Sequence, residues 1–179
     1  MQPRRQLEKV LLAEGSQDQV IREEPLQIRM KSESSPQSFI FATVLRTPGD
    51  DFELILGYLF SLKLLRHRRE VAQLSYCSAQ QDYNTVTVTF RQAIPEQALA
   101  LRSPEWIHGG CGACGQGQLD SQPKNSVSPP LEPVSKSWLK SLPALLNQAQ
   151  PLFRQCGGVH AAALTSAGQG LLSVYEDVG

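Results

Sequence analysis

The sequence predicts a mixed α/β fold (α+β in the order of its elements) with a β-rich N-terminal region. Three observations carry this. Short stretches rich in β-branched and aromatic residues recur along the chain. One segment behind a Pro-Gly-Asp punctuation carries apolar residues at helical spacing. Two apolar runs follow Gly157-Gly158 near the end of the chain. Strands alternating with helices imply a mixed architecture.

Residues 1–100 read as a β-β-α-β-β region. Segments 19–22 and 26–30 alternate apolar and polar residues as half-buried strands do. Residues 33–37 (Glu-Ser-Ser-Pro-Gln) are a turn, and 38–45 read as a strand. Pro48-Gly49-Asp50 stops that strand, with Asp50 and Asp51 as helix caps. The following helix places Leu54, Ile55, Tyr58, Leu59, Leu62 and Leu65 on one buried stripe. Asp50, Asp51 and Glu53 before it and Arg66, His67, Arg68 and Arg69 after it match the helix dipole. Segments 71–77 and 85–90 read as two strands joined by a turn at 80–84.

Residues 101–179 read as a second region holding a cysteine loop and an α/β segment. A connector or short helix over 95–106 leads into it. After the loop, residues 119–135 are polar and rich in Pro and Ser, as linkers are. A helix is expected over 137–150, capped by Ser135 or Ser137. Pro143 belongs in a first turn, which places the start near Leu142. Segments 159–164 and 171–175 read as two buried strands forming a hairpin.

The length of 179 residues suits one compact domain or two small ones and needs no disulfide or metal to form a core. The apolar share of 41% and charged share of 19% are those of a globular protein. Lys plus Arg and Asp plus Glu balance at 17 each, so no long-range field draws nucleic acid or an anionic membrane. No apolar run reaches the length of a membrane span, and Arg4-Arg5 lacks the apolar stretch of an export signal. A cytoplasmic location is expected, where Cys77, Cys111, Cys114 and Cys156 stay reduced.

Chemistry concentrates in Gly109-Gly110-Cys111-Gly112-Ala113-Cys114-Gly115-Gln116-Gly117. Glycines leave the sulfurs sterically open, and backbone N–H groups in such a loop favour the thiolate. A thiolate attacks a persulfide or a disulfide, and a second cysteine at CxxC spacing assists release. Alternatives stand beside this reading. A zinc site would need two more ligands from Cys77, Cys156, His108 and His160. A thioredoxin-like pair would sit at a helix start, and the loop is instead followed by a polar linker. A glycine turn with inert thiols is the third. A nucleobase deaminase requires His-x-Glu upstream of Pro-Cys-x-x-Cys. His67 and His108 lack that glutamate, and position 110 is glycine. His160 reads either as a strand-edge histidine or as a base beside the loop, and Glu176 and Asp177 either as a carboxylate pair facing a site or as a surface turn. Cys77 and Cys156 read as packed thiols.

Four blocks in order resemble the FdhD family of formate dehydrogenase accessory sulfurtransferases. They are Glu24-Pro25-Leu26-Gln27-Ile28, then Arg46-Thr47-Pro48-Gly49-Asp50-Asp51 with Gly57-Tyr58-Leu59, then Cys111-Gly112-Ala113-Cys114-Gly115. The fourth pairs Gly157-Gly158-Val159-His160-Ala161-Ala162 with Glu176-Asp177-Val178-Gly179. The resemblance implies a sulfur carrier that passes persulfide sulfur from a cysteine desulfurase to the molybdenum or tungsten bis-molybdopterin guanine dinucleotide cofactor destined for formate dehydrogenase. Cys111 would carry the persulfide and Cys114 would assist. Gly157, Gly158, His160, Glu176 and Asp177 would contact the cofactor, which is an acceptor and not a permanent ligand. It further implies no metal site, a homodimer, and a cytidine-deaminase-like C-terminal half without zinc machinery. Gly109-Gly110 stands where the family has Ser-Ser, Cys156 where it has Thr, and Tyr175 where it has a basic residue. The family's Arg-His-Asn block beyond EDVG is not in this sequence, so a truncated member is expected. The other readings are a non-catalytic scaffold that docks desulfurase or cofactor, and a zinc-binding module.

Overall fold

Period-two alternation and one apolar helix face build the first half of the molecule. The computed structural model describes residues 7–77, 82–107, 134–166 and 168–178. The chain divides into two units, residues 1–109 with 178–179, and residues 110–177.

In the first unit, β1 (Leu7–Leu11) and β2 (Gln17–Ile21) pair antiparallel as a two-stranded sheet of their own. The turn between them closes through Gly15 at φ +85°, with its N–H on the Leu12 carbonyl. A five-stranded sheet follows, in the order β5-β6-β3-β4-β7. Its strands are β3 (Glu24–Ser32), β4 (Phe39–Arg46), β5 (Val71–Cys77), β6 (Asp82–Phe90) and β7 (Ser103–Ile107). β3 pairs antiparallel with β4 and parallel with β6, so it lies at the centre.

Along β3, Leu26, Ile28 and Met30 are fully buried, whereas Gln27, Arg29 and Lys31 between them are half-buried. The register sets Ile28 beside Val86 and Met30 beside Val88, both fully buried. The apolar set of one face therefore continues across strands. Helix α1 (Asp51–Ser61) adds Ile55 and Leu59 to this core, joined by Leu64, Leu65, Phe41, Val71 and Phe90. Each such side chain contributes about 1.5–3 kcal/mol by leaving water.

The helix differs from its expected stripe in two ways. Its inner face runs through Asp51, Ile55 and Leu59, so Leu54 faces outward. It also ends at Ser61, where Lys63 takes a left-handed φ of 60° and the N–H of Leu64 reaches the Leu59 carbonyl. Arg66, His67, Arg68 and Arg69 lie past that stop, beyond the last turn where a helix dipole acts. Arg68–Glu70 form one 3₁₀ turn instead, tied by Glu70 to the N–H of His67 at 3.0 Å. The expected connector over 95–106 resolves into a short α2 (Gln97–Ala100) and the edge strand β7, parallel to β4. Val178 belongs to this unit and donates its N–H to Thr47 Oγ1 at 3.1 Å.

The second unit has α3 (Lys136–Gln148), α4 (Pro151–Cys156) and an antiparallel hairpin of β8 (His160–Ser166) and β9 (Gly170–Asp177). Ser135 caps α3 by accepting the N–H of Trp138 at 3.2 Å. The helix starts there and not near Leu142, so Pro143 lies inside it. The hairpin is less buried than two continuous apolar runs lead one to expect. Leu164 is 61%, Leu172 48% and Tyr175 43% exposed. Two strands form a narrow ribbon, and strand faces without a covering layer stay open to solvent. No described helix is long and apolar enough to cross a membrane.

Candidate functional site

Cys111 and Cys114, with His108 and the whole glycine loop, lie outside the described residues. The other expected site residues fall in the second unit, and the fold gathers them. α4 ends on Gly157, which holds φ +63° and donates its N–H to the Phe153 carbonyl at 2.8 Å. That left-handed position is where glycine is favoured. Gly158 is under no such demand: a Cβ there would meet the Cys156 carbonyl oxygen at an ordinary 3.8 Å.

Two residues later the chain enters β8 at His160, an exposed side chain. The antiparallel register sets His160 directly opposite Asp177, the last residue of β9. Opposed residues of a strand pair share a face. An imidazole and a half-buried carboxylate are thus neighbours at one end of the hairpin. Such a pair can hold a proton donor next to an acceptor, or orient a polar ligand.

Glu176 points the other way and does something more definite. It is 5% exposed, and its two carboxylate oxygens accept the N–H groups of Leu152 at 3.1 Å and Phe153 at 2.8 Å. These donors are in the first turn of α4, where no helical partner exists. Glu176 therefore fastens α4 to β9 and fixes where Gly157, Gly158 and His160 emerge. Cys156 is half-buried, and its thiol donates to the Leu152 carbonyl at 3.2 Å.

The first unit contains a polar cluster around Asp51, a residue whose place in the sequence suggests only a helix cap. Asp51 is fully buried, and so is Arg46. Arg46 Nε and Nη2 donate to Asp51 Oδ1 and Oδ2 at 3.0 and 3.1 Å, a bidentate pair. Its remaining reach goes to the carbonyls of Glu24 at 3.2 Å and Tyr83 at 3.1 Å. The Tyr76 hydroxyl donates to Asp51 Oδ2 at 2.9 Å. Burial first, then the Asp51 charge and this hydrogen bond, push the Tyr76 phenol far above its usual range. Phe52 stacks on Tyr76 at 5.1 Å and Tyr83 meets it edge-on at 5.4 Å. Asp50 is the capping residue of α1 by position, without a side-chain cap bond. One signal in the sequence points to this cluster: an arginine closing an apolar strand five residues before the aspartate.

Among the described residues no three His, Cys, Asp or Glu side chains gather as a metal site. Cys77 and Cys156, two of the four conceivable zinc ligands beside the loop, are both free thiols.

Comparison with known proteins gives a consistent picture. The model of the FdhD/NarQ family matches residues 21–179. The sulfur carrier protein FdhD of Mycobacterium tuberculosis is 32% identical over 168 residues, covering 88% of this chain and 59% of that protein. The proteins of the same description from Streptomyces coelicolor and Sulfolobus acidocaldarius are each 33% identical, covering 90% and 92% of this chain and 58% of each relative. The chain thus spans under three-fifths of the length of these relatives. A crystal structure assigned as a formate dehydrogenase accessory protein, from Desulfotalea psychrophila, superposes with a TM-score of 0.55 over 98% of this chain and 62% of that one. At 18% identity it supports the fold, which is mixed α/β as the sequence predicts.

Proposed function

The chain belongs to the FdhD/NarQ family, and from that premise we propose that it is a sulfur carrier acting through Cys111. The observation that carries the proposal is the family match over residues 21–179, within which the Cys111-Gly112-Ala113-Cys114-Gly115 loop falls. In the first step the Cys111 thiolate attacks the terminal sulfur of a persulfide on a cysteine desulfurase. The donor's S–S bond breaks, the donor cysteine leaves as a thiolate, and Cys111 holds the sulfane sulfur. Cys114 lies close enough in sequence to displace that sulfur as sulfide by forming a disulfide, or to hold the loop while an acceptor takes it.

The acceptor in this reading is the molybdenum or tungsten bis-molybdopterin guanine dinucleotide of formate dehydrogenase. The His160–Asp177 pair and the Gly157-Gly158 turn are the groups that would orient it, with Glu176 fixing their position. The setting is the cytoplasm, where thiols stay reduced, and the partners are a desulfurase, formate dehydrogenase and a second copy of the chain.

Intact-mass spectrometry after incubation with a cysteine desulfurase and cysteine tests the first step. A reducible gain of one sulfur atom, lost in Cys111→Ala, is the expected result. No gain in folded protein would sink the carrier reading. A desulfurase that still co-sediments in that case would point to a docking role instead.

A further inference from the structure

The chain is neutral as a whole but not everywhere. Where α1 has stopped and β5 begins, Lys63, Arg66, His67, Arg68 and Arg69 are all exposed. Exposed Arg91 joins them from the end of β6. Its N–H meets the Glu70 carbonyl at 2.9 Å, and its Nε meets the Arg69 carbonyl at 3.0 Å. The pairing of β5 with β6, with Val71 opposite Phe90, brings this distant arginine to the others. Five formal positive charges and an imidazole thus share one end of the first unit.

Nothing among the described residues neutralises them. The chain has 17 Asp and Glu, and Arg22 and Arg46 each pair with one or more. None of the six side chains in the basic group forms an ion pair with a described residue. Two carboxylates lie close by. Glu70 is committed to the backbone, accepting the N–H groups of Arg66 at 3.4 Å and His67 at 3.0 Å. Glu33 has its N–H on the Phe90 carbonyl at 2.8 Å and pairs with none of the six. Like charges gathered this way repel, so the grouping costs stability. Two of the arginines are also held in place. Arg68 Nη1 donates to the Val71 carbonyl at 2.9 Å, as Arg91 Nε does to that of Arg69. Each guanidinium is oriented while the rest of its fork has no partner among the described residues. A planar fork already fixed matches an oxyanion with little further loss of freedom.

The surroundings select carboxylates on a protein over other anions. The exposed apolar side chain at this end is Phe60, whose carbonyl takes the Lys63 N–H; Leu64 and Leu65 are buried. One aromatic gives no track for successive bases, and no apolar stripe stands ready to enter a membrane. Arginines beside an aromatic are instead the residues enriched in protein interfaces. We propose that this basic end of the first unit docks an acidic, carboxylate-rich segment of a partner protein. Arg68 and Arg91 are the preset forks, and Lys63, Arg66 and Arg69 supply the attraction. The proposal does not depend on the sulfur chemistry, so either can fail alone.

Fluorescence anisotropy of the full chain with a labelled decapeptide of Glu and Asp, in about 50 mM salt where screening is weak, is the test. Saturable binding is expected. Arg66→Glu with Arg69→Glu should weaken it at least about tenfold. Neither side chain is bonded to a described residue, so the far-ultraviolet spectrum should stay that of the folded chain. Lys136→Glu with Lys140→Glu makes the same change of net charge on α3 and should leave the affinity within about twofold, as exchanges away from the contact do. The proposal is overturned if the peptide does not bind, if Arg66→Glu with Arg69→Glu has no effect, or if the α3 exchange weakens binding as much. It is equally overturned if a single-stranded oligonucleotide of the same charge, or phosphatidylserine vesicles, bind this end at least about tenfold more tightly than the peptide.

Discussion

Asp51 and Arg46 are charges taken wholly out of water, and each depends on the other. Removing one partner of such a pair costs about 3–5 kcal/mol, because the survivor stays buried with only weaker contacts, among them the Glu24 carboxylate at 3.9 Å for Arg46 and the Tyr76 hydroxyl for Asp51. Asp51→Asn and Arg46→Met are therefore each expected to lower the unfolding free energy by that amount in urea titrations. The double variant Arg46→Met with Asp51→Leu removes both charges and should recover at least half of the loss. If the double variant were as unstable as the sum of the singles, the pair would not be the source of the effect. Tyr76 gives the same cluster a pH signature. Its pKa in the fold is raised, so above the unfolded value of 10.0 the unfolded chain releases a proton that the folded chain keeps. The contribution is present below pH 10 and declines as pH rises beyond it. Tyr76→Phe should flatten the loss of stability above pH 10, measured by chemical denaturation across the alkaline range; an unchanged slope would assign that loss to other groups. In sequence, Asp51 looks like one more acidic residue at a helix start. Its burial follows from the turn of α1 that faces the sheet, which local pattern does not reveal.

At the level of elements, legibility tracked how much each segment's own pattern decides. β3, β4, β5, β6 and α1 carry clear periodicity and were readable to within a few residues. β1, β7 and α4 were not. Glu8 and Lys9 break the apolar pattern of β1, β7 forms by pairing with an existing sheet edge, and α4 has six residues and relies on Glu176 from β9 for its start. α3 shows the opposite error. Its proline suggested a later start, yet Ser135 caps the helix and Pro143 is carried inside. An internal proline removes one backbone bond and crowds the preceding turn, at a cost of about 3 kcal/mol in a regular helix. Pro143 is exposed, so Pro143→Ala touches no core contact. It should stabilise the second unit by about 1–3 kcal/mol, the propensity difference less what local relaxation already recovers. Ser135→Ala should act in the opposite sense by about 1 kcal/mol through the lost cap. Thermal unfolding followed at 222 nm, where helix dominates, reads both; a destabilising Pro143→Ala would mean that the proline shapes the helix for a neighbouring contact.

Across the whole molecule, the site and the core occupy different kinds of structure. The fully buried residues belong almost entirely to the first unit's sheet and α1. The residues expected to handle a ligand stand on a half-exposed hairpin and on a glycine loop. The loop's chemistry was legible because two cysteines among five glycines need no tertiary context to suggest open thiols. Gly157, His160, Glu176 and Asp177 stood out only through the family resemblance; that His160 faces Asp177 and that Glu176 ties down α4 was not legible, because the first depends on a strand register and the second on a contact between residues 24 apart in the chain. This separation predicts a gradient of local stability. Amides of β3 and β6, central and covered by the core, should exchange at rates governed by global unfolding. Amides of β1 and β2 should exchange fast, since a two-stranded ribbon with no buried residue is marginal in water. β8 and β9 should fall between, protected at the Glu176 end where α4 is fastened and open near Gly170. Hydrogen exchange read by mass spectrometry resolves these three classes. Equal protection in β1–β2 and β3 would mean that the ribbon is covered by another body in solution. Rapid exchange throughout β8 and β9 would mean that the Glu176 tie does not hold the hairpin, and that the His160–Asp177 end is assembled only when a ligand or partner binds.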